Sequence, residues 1–236
     1  MITIADHETD FANACVAAFR STAAAAIAAR GRFHVALTGG TSPRPFHRAL
    51  VAADGIDWPS VEIWFGDERA VGPSDPKSNF GAAQADLLAH VPIPRAQIHR
   101  MEGEAGDLDA VAKGYERALV ERCDGALDLL IVGIGKDAHI LSLWPGSDLV
   151  EERSSLVVAA IDPPMDPALS RVTFTPAVVE RARSVLAIVT GRDKRDAVTR
   201  ARHAPDDPRA IPAHVLRRAR SVHWIVDRDA FDPSAS

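Results

Sequence analysis

The sequence predicts an α/β protein: a single domain over residues 1–236, with a mostly parallel, doubly wound sheet flanked by helices. Two observations predict it. Short apolar, β-branched runs alternate with stretches of helical periodicity, the pattern of a sheet covered on both faces. Four of those runs also end in polar, glycine-rich or charged turns. Open parallel sheets bind ligands at such ends, beyond the carboxyl termini of the strands, where the strand order reverses.

The elements follow in order. An acidic start (Asp6, Glu8, Asp10) leads into "ANACVAAFRSTAAAAIAA", which Arg20 interrupts. This reads as an Ala-rich amphipathic helix rather than a signal peptide or membrane span. Strands are expected at 33–37, 61–65, 126–134, 155–160, 171–175, 184–190 and 221–227. Pro43 and Pro176 stand where a first helical turn begins after a strand, a position that tolerates a missing N–H. The linker-like stretches at 72–78, 161–167 and 203–210 are too short to separate domains, and no internal repeat is visible.

Composition narrows the function. A hydrophobic content of 47% with 25% charged residues is that of an ordinary soluble globular protein. The net charge of −5, without any basic block, offers no footprint for nucleic acid or an anionic membrane. An anionic ligand must then be held by locally placed Arg and Lys. Cys15 and Cys123 form no C-x-x-C pair, which suits a reducing, cytoplasmic setting. No H-E-x-x-H, paired His/Cys spacing or EF-hand loop calls for a metal. The G-x-S-x-G elbow of a serine esterase is missing as well.

Four turns carry the candidate chemistry. "LTGGTSPRPFHRAL" (37–50) passes through Gly39 and Gly40 into a helix opened by Pro43. Backbone N–H groups at a helix start attract anions, glycines allow close approach, and Thr38, Thr41 and Ser42 add hydroxyls. The Walker lysine is absent, and the plain alternative is a turn capped by Thr or Ser. "WFGDERAVGPSDPKSNF" (64–80) sets Asp67, Glu68 and Arg69 after a strand. Arg69 provides a planar fork for phosphate or carboxylate, against the alternative of a solvated loop with local ion pairs. "VTGRDKRD" places Lys194 after the strand at 184–190.

The fourth turn, "LLIVGIGKDAHILSLWPGS", contains G-x-G-x-x-[GA] at Gly133–Ala138. A dinucleotide turn needs a helix to begin inside that motif and an acidic residue at the end of the next strand. Here Pro145 and Gly146 interrupt the helix, while Glu151 and Glu152 precede the next strand instead of ending it. What remains is Asp137-x-His139 on a tight turn. A histidine there, with an ordinary pKa of about 6.5, suits a general base, and Asp137 would fix its tautomer. The alternative is that His139, one of nine histidines, merely packs or faces solvent.

Taken together and in this order, the four turns resemble the 6-phosphogluconolactonase family, which shares its fold with the glucosamine-6-phosphate deaminases. The resemblance implies metal- and cofactor-free hydrolysis of 6-phospho-D-glucono-1,5-lactone, with a phosphorylated sugar lactone as partner; a monomer or weak homo-oligomer is expected. It implies His139 as the base with Asp137 beside it. Substrate would be held by Thr38, Gly39, Gly40, Thr41, Ser42, Asp67, Arg69, Lys194 and, as a lesser contributor, Arg171. Two departures stand out. Lys136 precedes the aspartate, and Ala138 replaces the usual glycine, costing on the order of 1 kcal/mol if φ is positive there. Ile140 and Leu141 also stand where small or hydroxyl residues are common. The rival readings are a deaminase, which would carry a glutamate where this chain has Trp144, and a non-catalytic sugar-phosphate sensor.

Overall fold

The computed structural model describes residues 1–161, 163 and 168–235. Its strands are β1 (Ile2–Ala5), β2 (Phe33–Leu37), β3 (Val61–Phe65), β4 (Asp67–Arg69), β5 (Leu129–Val132), β6 (Val157–Ala160), β7 (Arg171–Phe174), β8 (Val185–Val189) and β9 (Val222–Asp227). The helices are α1 (Glu8–Arg30), α2 (Pro43–Val51), α3 (Asn79–Ala83), α4 (Leu108–Cys123), α5 (Pro176–Arg181) and α6 (Arg195–His203).

Six strands form one parallel sheet in the order β1-β9-β8-β5-β2-β3. Its central strands are buried on both faces, and residues alternate between two hydrophobic layers as the two-residue period requires. Val35, Ile131 and Ile188 face the layer containing Phe11, Phe19 and Phe46 of α1 and α2. Ala36, Leu130 and Ala187 face the opposite layer, which holds Leu119 of α4, Val178 of α5 and Val198 of α6.

The remaining three strands differ from expectation. The segments predicted at 155–160 and 171–175 do not join the parallel sheet. They become β6 and β7, which pair antiparallel with each other and, through β7, with β4. Asp67 lies opposite Thr173 and Arg69 opposite Arg171. The charged Asp-Glu-Arg run has little intrinsic strand preference, so cross-strand pairing and burial make it a strand. β1 was also unanticipated; it is short and occupies the sheet edge beside β9.

Pro43 and Pro176 are the first residues of α2 and α5, as expected. α1 is long and apolar enough by length and composition to cross a membrane. Here its buried Phe11, Cys15, Phe19, Ala23 and Ala26 recur at helical spacing on the face turned to the core. Of the linker-like stretch at 161–167, residues 162 and 164–167 lie outside the described residues.

Candidate active site

The four polar turns follow β2, β3, β5 and β8, which are neighbours in the sheet. The order reverses between β2 and β5: one leads on to β3, the other towards β8 and β9. At that seam the Gly133 N–H donates to Thr38 Oγ1 at 3.3 Å. A cavity of about 250 Å³ opens above it and is lined from all four turns. A wider groove of about 1410 Å³ lies between α4 and the segment after α3, but none of the expected site residues line it. Convergent polar groups at the switch point, not volume, mark the smaller cavity as the candidate site.

The glycine turn packs tightly on its neighbours. A Cβ at Gly39 would fall 1.8 Å from Asn79 Oδ1, so no side chain fits, and Gly40 has φ +92°. Ser42 makes no side-chain cap on α2. Its hydroxyl instead pairs with Thr190 Oγ1 at 2.9 Å and accepts from the Thr190 N–H at 3.1 Å. The turn is therefore tied to the end of β8. The simple capped turn does not form, and the positive end of α2 is left facing the cavity.

The solvated-loop alternative fails for Asp67 and Glu68, since both are buried. Asp67 Oδ1 accepts from Asn79 Nδ2 at 2.9 Å, and Oδ2 accepts from Ser142 Oγ at 2.7 Å and from the Arg171 guanidinium at 3.3 Å. Glu68 accepts from the backbone N–H groups of Asn79 and Phe80, both at 2.8 Å, and anchors the start of α3. Asn79 opens α3 and also lines the cavity. Asp67 is thus a hub that holds other site residues. Its carboxylate is engaged on both oxygens.

Two arginines line this side. Arg69 donates to the Lys77 carbonyl oxygen, while its buried Nε has no hydrogen-bond partner among the described residues. Arg171 is buried, with its guanidinium 5.5 Å from the centre of the Trp144 ring. Burial lowers its pKa, and the charge of Asp67 works against that shift.

The turn after β5 contains the His139–Asp137 pair. The Gly135 N–H donates to the His139 carbonyl at 2.9 Å, and the Ala138 N–H to the Gly135 carbonyl at 3.0 Å. His139 Nδ1 lies 2.6 Å from Asp137 Oδ1, which also accepts from the His139 backbone N–H at 3.2 Å. Such a contact keeps the proton of a neutral imidazole on Nδ1 and leaves Nε2 as its basic nitrogen. Burial opposes ionisation of Asp137, but its hydrogen bond to His139 and that residue's charge prevail, holding the carboxyl down at about 2. A Cβ at Gly135 would lie 2.1 Å from His139 Nδ1, so this glycine makes room for the pair.

Ala138 is buried at φ +69°, and Leu141 follows at φ +55°. Of the residues that depart from the usual ones, Ala138 and Leu141 thus fall on left-handed backbone, whereas Lys136 and Ile140 do not. On the far side of the cavity Lys194 is partly buried in the turn after β8. Burial lowers its pKa, and Asp193 opposes this. Every expected site residue except Asp137 lines the cavity directly, and Asp137 supports His139 from behind. Sequence reasoning missed Asn79, Ser142 and Thr190; the partners of the last two, Asp67 and Ser42, are 75 and 148 residues away. Only the position of Asn79 just after a charged turn offered a clue.

A doubly wound sheet with a His–Asp pair and several cations over its switch point defines an α/β protein built to handle a small anionic ligand. The chain belongs to the glucosamine-6-phosphate isomerase/6-phosphogluconolactonase family, whose model matches residues 6–224. It is 39% identical over 216 residues to the 6-phosphogluconolactonase of Mycobacterium tuberculosis, covering 87% of each chain. The crystal structure of 6-phosphogluconolactonase from Thermotoga maritima superposes with a TM-score of 0.84 at 25% identity, covering 97% of this chain and 99% of that one. A monomeric glucosamine-6-phosphate deaminase superposes equally closely, TM-score 0.83 at 20% identity, over 97% of this chain and 98% of that one. The fold is therefore common to both activities, and the site must decide between them.

Proposed function

We propose that this protein hydrolyses 6-phospho-D-glucono-1,5-lactone to 6-phospho-D-gluconate, with water activated by His139. The observation that carries the proposal is the 2.6 Å His139–Asp137 pair at the edge of a cation-lined cavity. With the lactone carbonyl beside Nε2, His139 takes a proton from water as its oxygen attacks C1. The resulting imidazolium, stabilised by Asp137, returns that proton to the ring oxygen as the C1–O bond breaks. The phosphate would lie against the start of α2, with Lys194 and Arg69 as its charged partners.

The deaminase reading is disfavoured by Trp144. Its indole lies 6.4 Å from the His139 ring, centre to centre, where an acid–base carboxylate would be required. A cytoplasmic monomer or weak homo-oligomer fits this reading. The test is direct. Lactone made freshly from glucose 6-phosphate should disappear faster than its spontaneous rate, while glucosamine 6-phosphate should release no ammonia. Ammonia release without lactone turnover would reverse the assignment.

A further inference from the structure

Outside the residues already assigned, Lys136 and Asp193 form a pair of charges beside the site, next to Lys194. Lys136, on the His139 turn, places Nζ 3.3 Å from Asp193 Oδ2, and Lys194 places Nζ 3.9 Å from the same oxygen. One carboxylate oxygen thus serves two ammonium groups carried by turns after different strands, β5 and β8. The carboxylate is folded back over its own turn: a Cβ at Gly191, which has φ +99°, would lie 2.8 Å from Asp193 Oδ1. Lys136 is 71% exposed and Asp193 47%, whereas Lys194 is 21% exposed. The outer lysine and the carboxylate are thus largely solvated, and the inner lysine is mostly covered.

We propose that Asp193 is an internal stand-in for the substrate's phosphate, holding Lys136 and Lys194 together until the phosphate displaces it, so that Lys136 is an additional substrate-binding cation. This rests on the sugar-phosphate reading of the site. An exposed ion pair contributes little, so releasing Asp193 costs little. A phosphate monoester carries up to two negative charges and three acceptor oxygens, so it satisfies both ammonium groups better than one shared carboxylate oxygen does. The charges already act on one another in the free protein. Burial is the main influence on Lys194, and after it come the charges of Asp193, Lys136 and Asp137.

The proposal predicts opposite signs for two substitutions. Lys136→Gln should weaken binding of 6-phosphogluconate and raise KM for the phosphorylated lactone about two- to fivefold, a larger effect than on kcat. Asp193→Asn should do the reverse and tighten binding, because the competing carboxylate is gone. Both effects should shrink as salt is raised from 20 mM to about 0.5 M. A salt bridge that merely braces the two turns predicts the same sign, with both variants weaker. That result, or no change in either variant, would overturn the proposal. Melting temperatures confirm that both variants are folded. Wild-type lactone turnover, measured first, tests the substrate reading separately. If it were absent, calorimetry of the three proteins with inorganic phosphate would still decide between opposite and equal signs.

Discussion

The His139 turn and the Asp67 strand are equally close to the cavity but are built in opposite ways. Between Gly133 and His139 the contacts that set the base are internal: Gly135 to His139, Ala138 to Gly135, and His139 to Asp137. Around Asp67 every side-chain partner comes from another part of the chain: Asn79, Ser142 and Arg171. The first region is set mainly by local contacts, with Thr38 and Ala213 bracing it from outside through the Gly133 N–H and the Ala138 carbonyl. The second exists only when the fold is finished. Function and stability should therefore separate between them.

The largest expected effect is on turnover. His139→Ala should lower kcat by about 10²–10⁴-fold, the usual contribution of positioned proton transfer, with little change in melting temperature or product affinity. Asp137→Asn should cause a smaller fall through misorientation of the ring. If His139→Ala melted far below wild type, the ring would be helping to hold the fold together and the contrast would fail. A folded His139→Ala enzyme retaining turnover within about threefold of wild type would remove the histidine from the mechanism.

Asp67→Ala should behave in the opposite sense. Removing one partner of a buried ion pair typically costs about 3–5 kcal/mol. The loss should appear in denaturant unfolding, and it should be much larger than that of His139→Ala. Equal unfolding free energies for the two variants would break the comparison. Arg69→Ala and Lys194→Ala fall between these extremes. Each should weaken 6-phosphogluconate binding by roughly 1.5–3 kcal/mol, the range for hydrogen bonds to charged groups, with unphosphorylated gluconolactone much less affected. Calorimetry with both ligands is the measurement.

The smallest effect is expected at Ala138. Relief of left-handed strain by Ala138→Gly is worth about 1–2 kcal/mol. Loss of a buried methyl takes back about 0.8 kcal/mol, and the extra chain freedom of glycine removes up to about 1 kcal/mol more. The net change in stability should thus lie within about 1 kcal/mol of zero by these opposing magnitudes. The more informative readout is kcat, which should rise modestly if alanine holds His139 out of its best position. A clear fall would mean that the turn needs the alanine.

This contrast also explains what the sequence revealed. The central strands were legible because burial on both faces leaves unbroken apolar runs such as Leu129–Val132 and Val185–Val189. The His139 turn was legible because its glycines, aspartate and histidine lie within seven residues. β4 was illegible because three charged residues do not read as a strand, and its pairing with β7 spans about a hundred positions. Ser142 gave no signal at all, since its partner Asp67 is 75 residues away. The still larger separation of β4 from β7 concealed the antiparallel sheet, which holds Arg171 in the site.

The contact of Gly39 with Asn79 carries a genetic consequence. Since a methyl group at position 39 would overlap the amide oxygen at 79, the two positions form one unit of inheritance: a lesion at either is judged by what stands at the other. A Gly39→Ala allele should be rescued by a smaller residue at 79 more readily than by any change elsewhere. Yet the rescuing residue would no longer donate to Asp67. Suppression at 79 by an apolar residue would restore the fit of the two loops while leaving the neighbouring carboxylate short of a partner, so the rescue would be of shape before it is of hydrogen bonding.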